Sequence, residues 1–343
     1  MAGMPVIAAD ELLALGRQIF LGVGTPPDNA EQVAASLVGA NLAGHDSHGV
    51  IRIPTYVELI HQGRLDPAAR PSLLRQSRAI AVVDGQWAFG QLTARFAMRL
   101  AIEQAQTNGV GAVSAVNCNH IGRLGEWVEQ AAAEATIGFA TVSFYGPGAG
   151  AAAPHGAAEP IMSTNPVAFG LPGGRHGTVV ADFATTVVAE GKLQVARAKG
   201  APAPEGSILD AHGNPSTNPD DFYAGGALLP FAGHKGYGLS VVSELLSLAV
   251  GGAFARRQPQ TESTSGAFFL CVDPAAFGAL EDYTAASESL LGRIKAARPA
   301  PGVPEVLLPG EPEQRAREQR TRQGIAIDDT TWSRLQALRP STV

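Results

Sequence analysis

Gly44-His45-Asp46-Ser47-His48-Gly49-Val50-Ile51-Arg52-Ile53-Pro54-Thr55-Tyr56 packs two imidazoles, a carboxylate, a hydroxyl, a guanidinium and a phenol into one short stretch. The chain around it is bland: 16% of its 343 residues are charged and 45% are apolar, so a cluster this dense needs a reason. Gly44 and Gly49 bracket Asp46-Ser47-His48 and mark a bend. A helix starting near Gly49 places Arg52 and Tyr56 on one face, with His48 at its edge. Histidine exchanges a proton near neutral pH, and arginine offers a planar fork for a carboxylate. Together they suit a small carboxylic acid that gains or loses a proton. The competing reading is a polar helix start, with Asp46 or Ser47 as N-cap and His48 solvated. A metal held by His45 and His48 is the weaker option, because no further ligand set lies nearby.

Working outward, the N-terminal side is helical. Leu12, Leu13, Leu15, Ile19 and Phe20 recur at helical spacing over 9–23, and Pro26-Pro27-Asp28 opens a second helix carrying Val33, Leu37 and Leu42. A third helix follows over about 50–62. On the C-terminal side strands and helices alternate: 79–84 and 110–116 read as strands, 92–107 as a helix stopped by Asn108-Gly109, 124–135 as a helix and 137–144 as a strand. This alternation argues for an α/β domain. Asn117-Cys118-Asn119-His120-Ile121-Gly122-Arg123-Leu124-Gly125 lies at the exit of a strand and opens a helix, where backbone amides favour phosphate. No Rossmann fingerprint is present. Gly109-Val110-Gly111 enters a strand instead of leaving one, and Gly146-Pro147-Gly148-Ala149-Gly150 has proline in the turn.

Further along, 146–160 reads as a glycine- and alanine-rich loop and Thr164-Asn165-Pro166 as a turn into a strand. Thr178–Asp182 reads as a strand whose carboxyl end carries Asp182, a place for a functional carboxylate or a helix N-cap. Residues 201–221 read as an extended surface loop. Gly233-His234-Lys235-Gly236-Tyr237-Gly238 ahead of an apolar helix to about Val250 combines flexible backbone with cations, which suits phosphate or ribose. A strand at 266–272, a helix at 282–297, a charged helix after Leu308-Pro309-Gly310-Glu311-Pro312-Glu313 and a closing helix at 328–338 complete the reading.

Composition excludes several classes. The formal charge is −6 and no basic run suggests nucleic acid or an anionic membrane. Cys118 and Cys271 do not make a disulfide framework and fit reduced core residues. The first residues lack the regions of a signal peptide, so a cytoplasmic location is expected. A Ser-His-Asp hydrolase is disfavoured, because Ser47 and His48 are adjacent on one backbone and no Gly-x-Ser-x-Gly elbow exists. A non-catalytic dinucleotide- or carboxylate-binding protein is a further alternative.

The 45–56 stretch, with Asn119-His120-Ile121-Gly122-Arg123, Thr164-Asn165-Pro166, the Asp182 segment, the 233–238 cluster and the 309–313 turn, resembles the malate/L-lactate dehydrogenase family of the non-Rossmann type over nearly the whole chain. Within it, the hydroxycarboxylate dehydrogenase B branch is the nearest likeness. The resemblance implies a non-Rossmann NAD(P)-binding α/β domain with a mixed sheet (77–299), and a helical part in which 1–76 packs with 300–343. It implies hydride transfer between NAD(H) or NADP(H) and a 2-oxo or 2-hydroxy acid, or alternatively a cyclic imino acid, in a homodimer. His48 would exchange the proton, oriented in a relay with Ser47 and Asp182, and His120 would line the site. Arg52, Tyr56 and Thr164 would meet the substrate. His48, His120, Gly122, Arg123, Leu124, Asp182, Phe183, Ala184, His234, Lys235, Gly310, Glu311, Pro312 and Glu313 would meet the cofactor. The chain departs from the family pattern at Ala153–Ala158, where a glycine pair is usual.

Overall fold

The computed structural model describes residues 4–198, 200–257 and 262–340. Helix α1 (Ala9–Gly22) packs on α2 (Pro27–Leu42) through Leu12, Leu15, Ile19 and Phe20 against Ala30, Val33 and Leu37. Helix α3 (Ile53–His61) joins this core through Ile53, Tyr56 and Val57. The end of the chain returns to the same core: Val6–Ile7 pairs antiparallel with Ile325–Ala326, and Ile327 and Leu335 are buried among these helices.

The second body is built on a seven-stranded sheet. Its strands are β1 (Ser72–Ser77), β2 (Ile80–Asp84), β3 (Val110–Val116), β4 (Ile137–Tyr145), β5 (Val167–Pro172), β6 (Thr178–Phe183) and β7 (Thr264–Val272). Their order is β1-β2-β3-β7-β4-β5-β6, and only β2 and β3 run parallel. The late strand β7 lies between β3 and β4, antiparallel to both. A Rossmann sheet is parallel, so the expected mixed, non-Rossmann architecture is what the chain forms.

Helices α4 (Gly90–Asn108) and α5 (Leu124–Ala133) cover one face, sealing Met98, Ala101, Trp127 and Val128 over Ala140, Ala267 and Phe269. Burying a side chain such as Met98 or Phe269 stabilises the fold by about 1.5–3 kcal/mol. Gly109 ends α4 in the left-handed conformation, as Asn108-Gly109 foretells. Then follow α6 (Glu190–Ala198), α7 (Pro219–Tyr223) and α8 (His234–Glu244), which runs into one π turn at Leu245–Ala249 on the opposite face of the sheet. Helices α9 (Leu280–Lys295), α10 (Glu311–Gln323) and α11 (Asp329–Ala337) close the chain.

Three sequence expectations differ from the structure. Residues 72–77 form the edge strand of the sheet, so the α/β body begins before residue 77; every residue of this strand is exposed, which leaves no alternation to read. Residues 201–221 are not an open loop. Ile208–Leu209 pairs with Pro215–Ser216 and with Ala227–Leu228, and α7 follows. The hairpin is closed by Asp210, whose Oδ1 accepts from the N–H groups of His212 (2.8 Å) and Asn214 (2.9 Å). The third helix starts at Ile53, because Asp46–His48 and Val50–Arg52 are separate 3₁₀ turns.

Candidate active site

The bend after α2 is held by its own side chains. Asn41 Nδ2 donates to Asp46 Oδ1 (2.7 Å), while Asn41 Oδ1 accepts from the Val50 N–H (2.9 Å). Gly49 is needed here, since a Cβ would come within 2.2 Å of Asn41 Oδ1. Arg320 of α10 donates to both Asp46 oxygens (2.6 and 3.0 Å) and to the Asn41 carbonyl (2.6 Å). Inside this clamp Ser47 Oγ lies 3.0 Å from His48 Nδ1, and Arg52 Nε donates to the Ser47 carbonyl (2.6 Å).

The β3–α5 loop brings His120 to the same place. Asn119 Nδ2 donates to the carbonyls of Trp87 (2.7 Å) and Ala88 (3.0 Å), and Trp127 Nε1 donates to the Ile121 carbonyl (3.0 Å). The His48 and His120 rings stack with centroids 5.4 Å apart. Behind His120, the Tyr56 hydroxyl donates to Nδ1 (2.7 Å) and accepts from Gln91 Nε2 (2.8 Å). Burial pushes the Tyr56 phenol up to about 12, so it keeps its proton. The His120 pKa is held well below 6.5, by burial first and then by the nearby Arg52 and His48, so the ring is neutral. With Nδ1 accepting, the His120 proton sits on Nε2. Burial, then Arg52, His45 and Arg123, lower His48 to about 3, and its ring too is neutral.

At the end of β6, Asp182 Oδ2 accepts from the Gly125 N–H (2.7 Å) and so caps α5 from a distant strand. Burial raises the Asp182 carboxyl pKa, against the effect of that hydrogen bond. Among the described residues no hydrogen bond joins Asp182 to His48. Of the expected relay, the Ser47–His48 link is formed and Asp182 is engaged at the helix. Arg123, 2% exposed, donates from Nη2 to Glu129 (2.6 Å), which also receives Arg317 of α10 (3.0 Å). Its Nε and Nη1 are buried and make no hydrogen bond.

Two chambers meet at His48. A cleft of about 560 Å³ is lined by His45, Ser47, Arg123, Asp182, Phe183, Ala184, Gly191 and Lys192, among others. A chamber of about 310 Å³ is lined by Arg64, Cys118, His120, Gly122, Ser143 and Phe144, among others. His48, Leu124, Thr164 and Pro166 line both. The N-terminal turn of α6 closes on Ser47: a Cβ at Gly191 would lie 2.7 Å from that of Ser47.

Other residues singled out by sequence stand elsewhere. Tyr56 is 2% exposed and lines neither chamber; it supports His120 from behind. Arg52 also lines neither, although its charge reaches His48 and His120. His234 and Lys235 are exposed at the start of α8, outside both linings. In the 310–313 turn, Gly310 takes a positive φ of 96° and Pro312 enters the first turn of α10. Glu313 lies 3.3 Å from His45 Nε2, whereas Glu311 is bound to Lys295 (2.6 Å) and the Leu308 N–H (2.7 Å). The sequence reading passed over Gln91, Glu129, Lys192, Arg317 and Arg320. Only the charge density of α10 carried any signal, and that pattern equally describes a solvated helix.

The malate/L-lactate dehydrogenase family model matches residues 7–336. Hydroxycarboxylate dehydrogenase B of Escherichia coli K12 is 37% identical over 332 residues, covering 94% of this chain and 91% of the relative. The structure of sulfolactate dehydrogenase from Methanocaldococcus jannaschii superposes with a TM-score of 0.89 at 34% identity, covering 97% of this chain and 96% of that one. That of delta1-piperideine-2-carboxylate reductase from Pseudomonas syringae pvar. tomato gives 0.85 at 31%, covering 97% and 99%. The fold is that of a dehydrogenase with a non-Rossmann sheet. The chain belongs to the malate/L-lactate dehydrogenase family and is an oxidoreductase of hydroxy acids.

Proposed function

We propose that the protein interconverts a 2-hydroxy acid and a 2-oxo acid with a nicotinamide dinucleotide, NAD(H) or NADP(H), and that His48 carries the proton. The observation that supports this most is the position of His48 where the two chambers meet, since hydride transfer needs two ligands in contact at a proton-exchanging group. The larger cleft fits a dinucleotide on its own terms. Its wall holds buried, unpaired N–H donors of Arg123, and Lys192, whose side chain pairs with no other described residue. When bound, that group supplies or takes up the hydride. Neutral His48 accepts the hydroxyl proton in the oxidation direction and returns it to the developing alkoxide in reduction. Burial first, and then the charges of Arg52, His45 and Arg123, keep His48 deprotonated, so an anionic substrate that offsets those charges raises its pKa. His120, with its proton on Nε2, donates to the substrate oxygen where negative charge develops. Arg52, which lines neither chamber, acts on the substrate carboxylate through its charge.

The relatives' names support this class of substrate: one is a hydroxycarboxylate dehydrogenase and another a sulfolactate dehydrogenase. Cytoplasmic residence and a homodimer belong to the same proposal. Cys118 and Cys271 are buried, free thiols. Helix α8 and its π turn bury Ser240, Ser243 and Ser247 against the sheet while Val242, Leu245 and Val250 stand 50–59% exposed, a face that a second copy would cover.

The test is oxidation of NADH and NADPH against a panel of 2-oxo acids and cyclic imino acids, with His48→Ala alongside. Turnover of an oxo acid that is lost in the variant is the expected result. Turnover confined to cyclic imines moves the substrate to C=N chemistry with the same proton donor. No turnover and no dinucleotide binding overturns the proposal.

A further inference from the structure

The smaller chamber contains a cation that the chemistry above does not use. Arg64 follows α3, its backbone N–H held by the Leu59 carbonyl (2.9 Å). Its side chain lines the same chamber as His48 and His120. Its Nε is buried without a hydrogen bond, and among the described residues no carboxylate pairs with the guanidinium. Ser265, on β7, lines the chamber too, and its Oγ is likewise buried and unpaired. No Asp or Glu lines this chamber, and much of the remaining wall is apolar: Leu59, Ile121, Val142 and Phe144.

A guanidinium keeps its charge at any working pH and matches a carboxylate fork to fork. Leaving buried donors unpaired is costly, so a chamber built this way selects a ligand that pairs them. We propose that Arg64, assisted by Ser265, forms a subsite for a second acidic group on the substrate. The preferred substrate is then a short 2-oxo acid with a distal carboxylate or comparable anion, because a chamber of 310 Å³ lies near the lower end of ligand-pocket volumes, which begin at about 300 Å³. This inference rests on the dehydrogenase reading and names its substrate class. Arg64 is a specificity determinant; the reacting atoms remain with His48.

The experiment compares oxaloacetate with 2-oxobutanoate, which have the same chain length and differ in the distal carboxylate. Specificity constants are measured with the full chain and the dinucleotide it accepts. The wild type should favour the dicarboxylate by a factor of about 10 or more. Arg64→Gln should lower the ratio of the two constants by about 10- to 100-fold, and Arg64→Lys, which keeps charge but loses the fork, by less. A ratio that stays within about twofold in Arg64→Gln overturns the subsite. If that variant does not fold, the same ratio in wild type and Arg64→Lys decides: no preference in the wild type, or no change with lysine, overturns it. Turnover of both acids with an unshifted ratio defeats the subsite alone. Turnover of no acid in the panel defeats the dehydrogenase reading and the subsite with it.

Discussion

Tyr56→Phe removes one oxygen and leaves the ring volume in place, so its effect can be worked from two hydrogen bonds. The hydroxyl is the donor to His120 Nδ1 at 2.7 Å and the acceptor from Gln91 Nε2 at 2.8 Å. Tyr56 and Gln91 are 2% and 1% exposed, so water cannot replace it. Gln91 Oε1 is already buried and unpaired, and the substitution would leave the amide with no partner at either end. Each buried polar group left unsatisfied costs about 1–3 kcal/mol. Because phenylalanine fills the same space, no cavity penalty is added. The net loss is therefore about 2–3 kcal/mol, a fall in Tm of several degrees for a chain of this size. The catalytic consequence is separate. Without the phenol, His120 is free to place its proton on Nδ1, and the donor facing the chamber is lost in that tautomer. A fall of about tenfold or more in kcat is expected, larger than any rise in KM. Thermal unfolding and steady-state kinetics measure the two effects, and ¹⁵N NMR of the imidazoles reports the tautomer. Unchanged stability together with an unchanged His120 tautomer would refute the account.

Three further outcomes follow from the geometry. Gly191→Val should drive α6 away from Ser47, because even a Cβ there lies 2.7 Å from Ser47; kcat/KM should fall at least about tenfold with a stability loss of about 1–3 kcal/mol, read by kinetics and thermal unfolding. His120 has a folded-state pKa below its unfolded value near 6.5, so the unfolded chain takes up a proton that the folded chain refuses, and stability is complete above that pH and declines below it. His120→Asn should flatten this decline by about 1 kcal/mol per pH unit below about pH 6.5; Asp182 and Glu126, shifted upward, act in the opposite sense in both proteins and cancel from the difference. Denaturant titrations across pH test it, and equal slopes would sink it. Arg320→Gln should cost only about 1 kcal/mol in stability, since Asp46 is half exposed, yet lower kcat more than KM by loosening the turn that carries His48. Raising the salt concentration should move wild-type kcat in the same direction, and a salt-independent kcat would count against the clamp.

How much of this was legible in the sequence depends on the range of the interaction. The bend at 44–49 could be read because its glycines and polar residues are neighbours. The α/β body could be read because Ala81 and Val83 are buried on β2, Val113 and Ala115 on β3, and Met98 and Ala101 recur on one face of α4. Strand β1 was not legible, since an edge strand exposed along its whole length carries no pattern. The place of β7 between β3 and β4 was not legible either: a run of apolar residues marks a strand but not its neighbours. Within the site, spacing put Tyr56 with Arg52 on one face, yet the 3₁₀ turn at Val50–Arg52 rotates the two apart. Arg52 reaches back to Ser47, while Tyr56 enters the core beneath His120.

Helix α10 shows why the remainder was silent. It buries no residue, so apolar periodicity has nothing to report. Its Glu313, Arg317 and Arg320 nevertheless lie along one face and meet His45, Glu129 and Asp46. These partners lie 268, 188 and 274 residues away in sequence, beyond any local pattern. Each contact ends on a cleft-lining residue or one step from it: His45 and Asp46 line the cleft, and Glu129 holds Arg123. Apolar burial therefore decides where the two bodies fold, whereas long-range charge pairs decide how the His48 bend and the Arg123 guanidinium are presented. Such pairs on a half-exposed surface add little stability. Their effect falls on geometry, and so a C-terminal helix that lines neither chamber belongs to the machinery of the site.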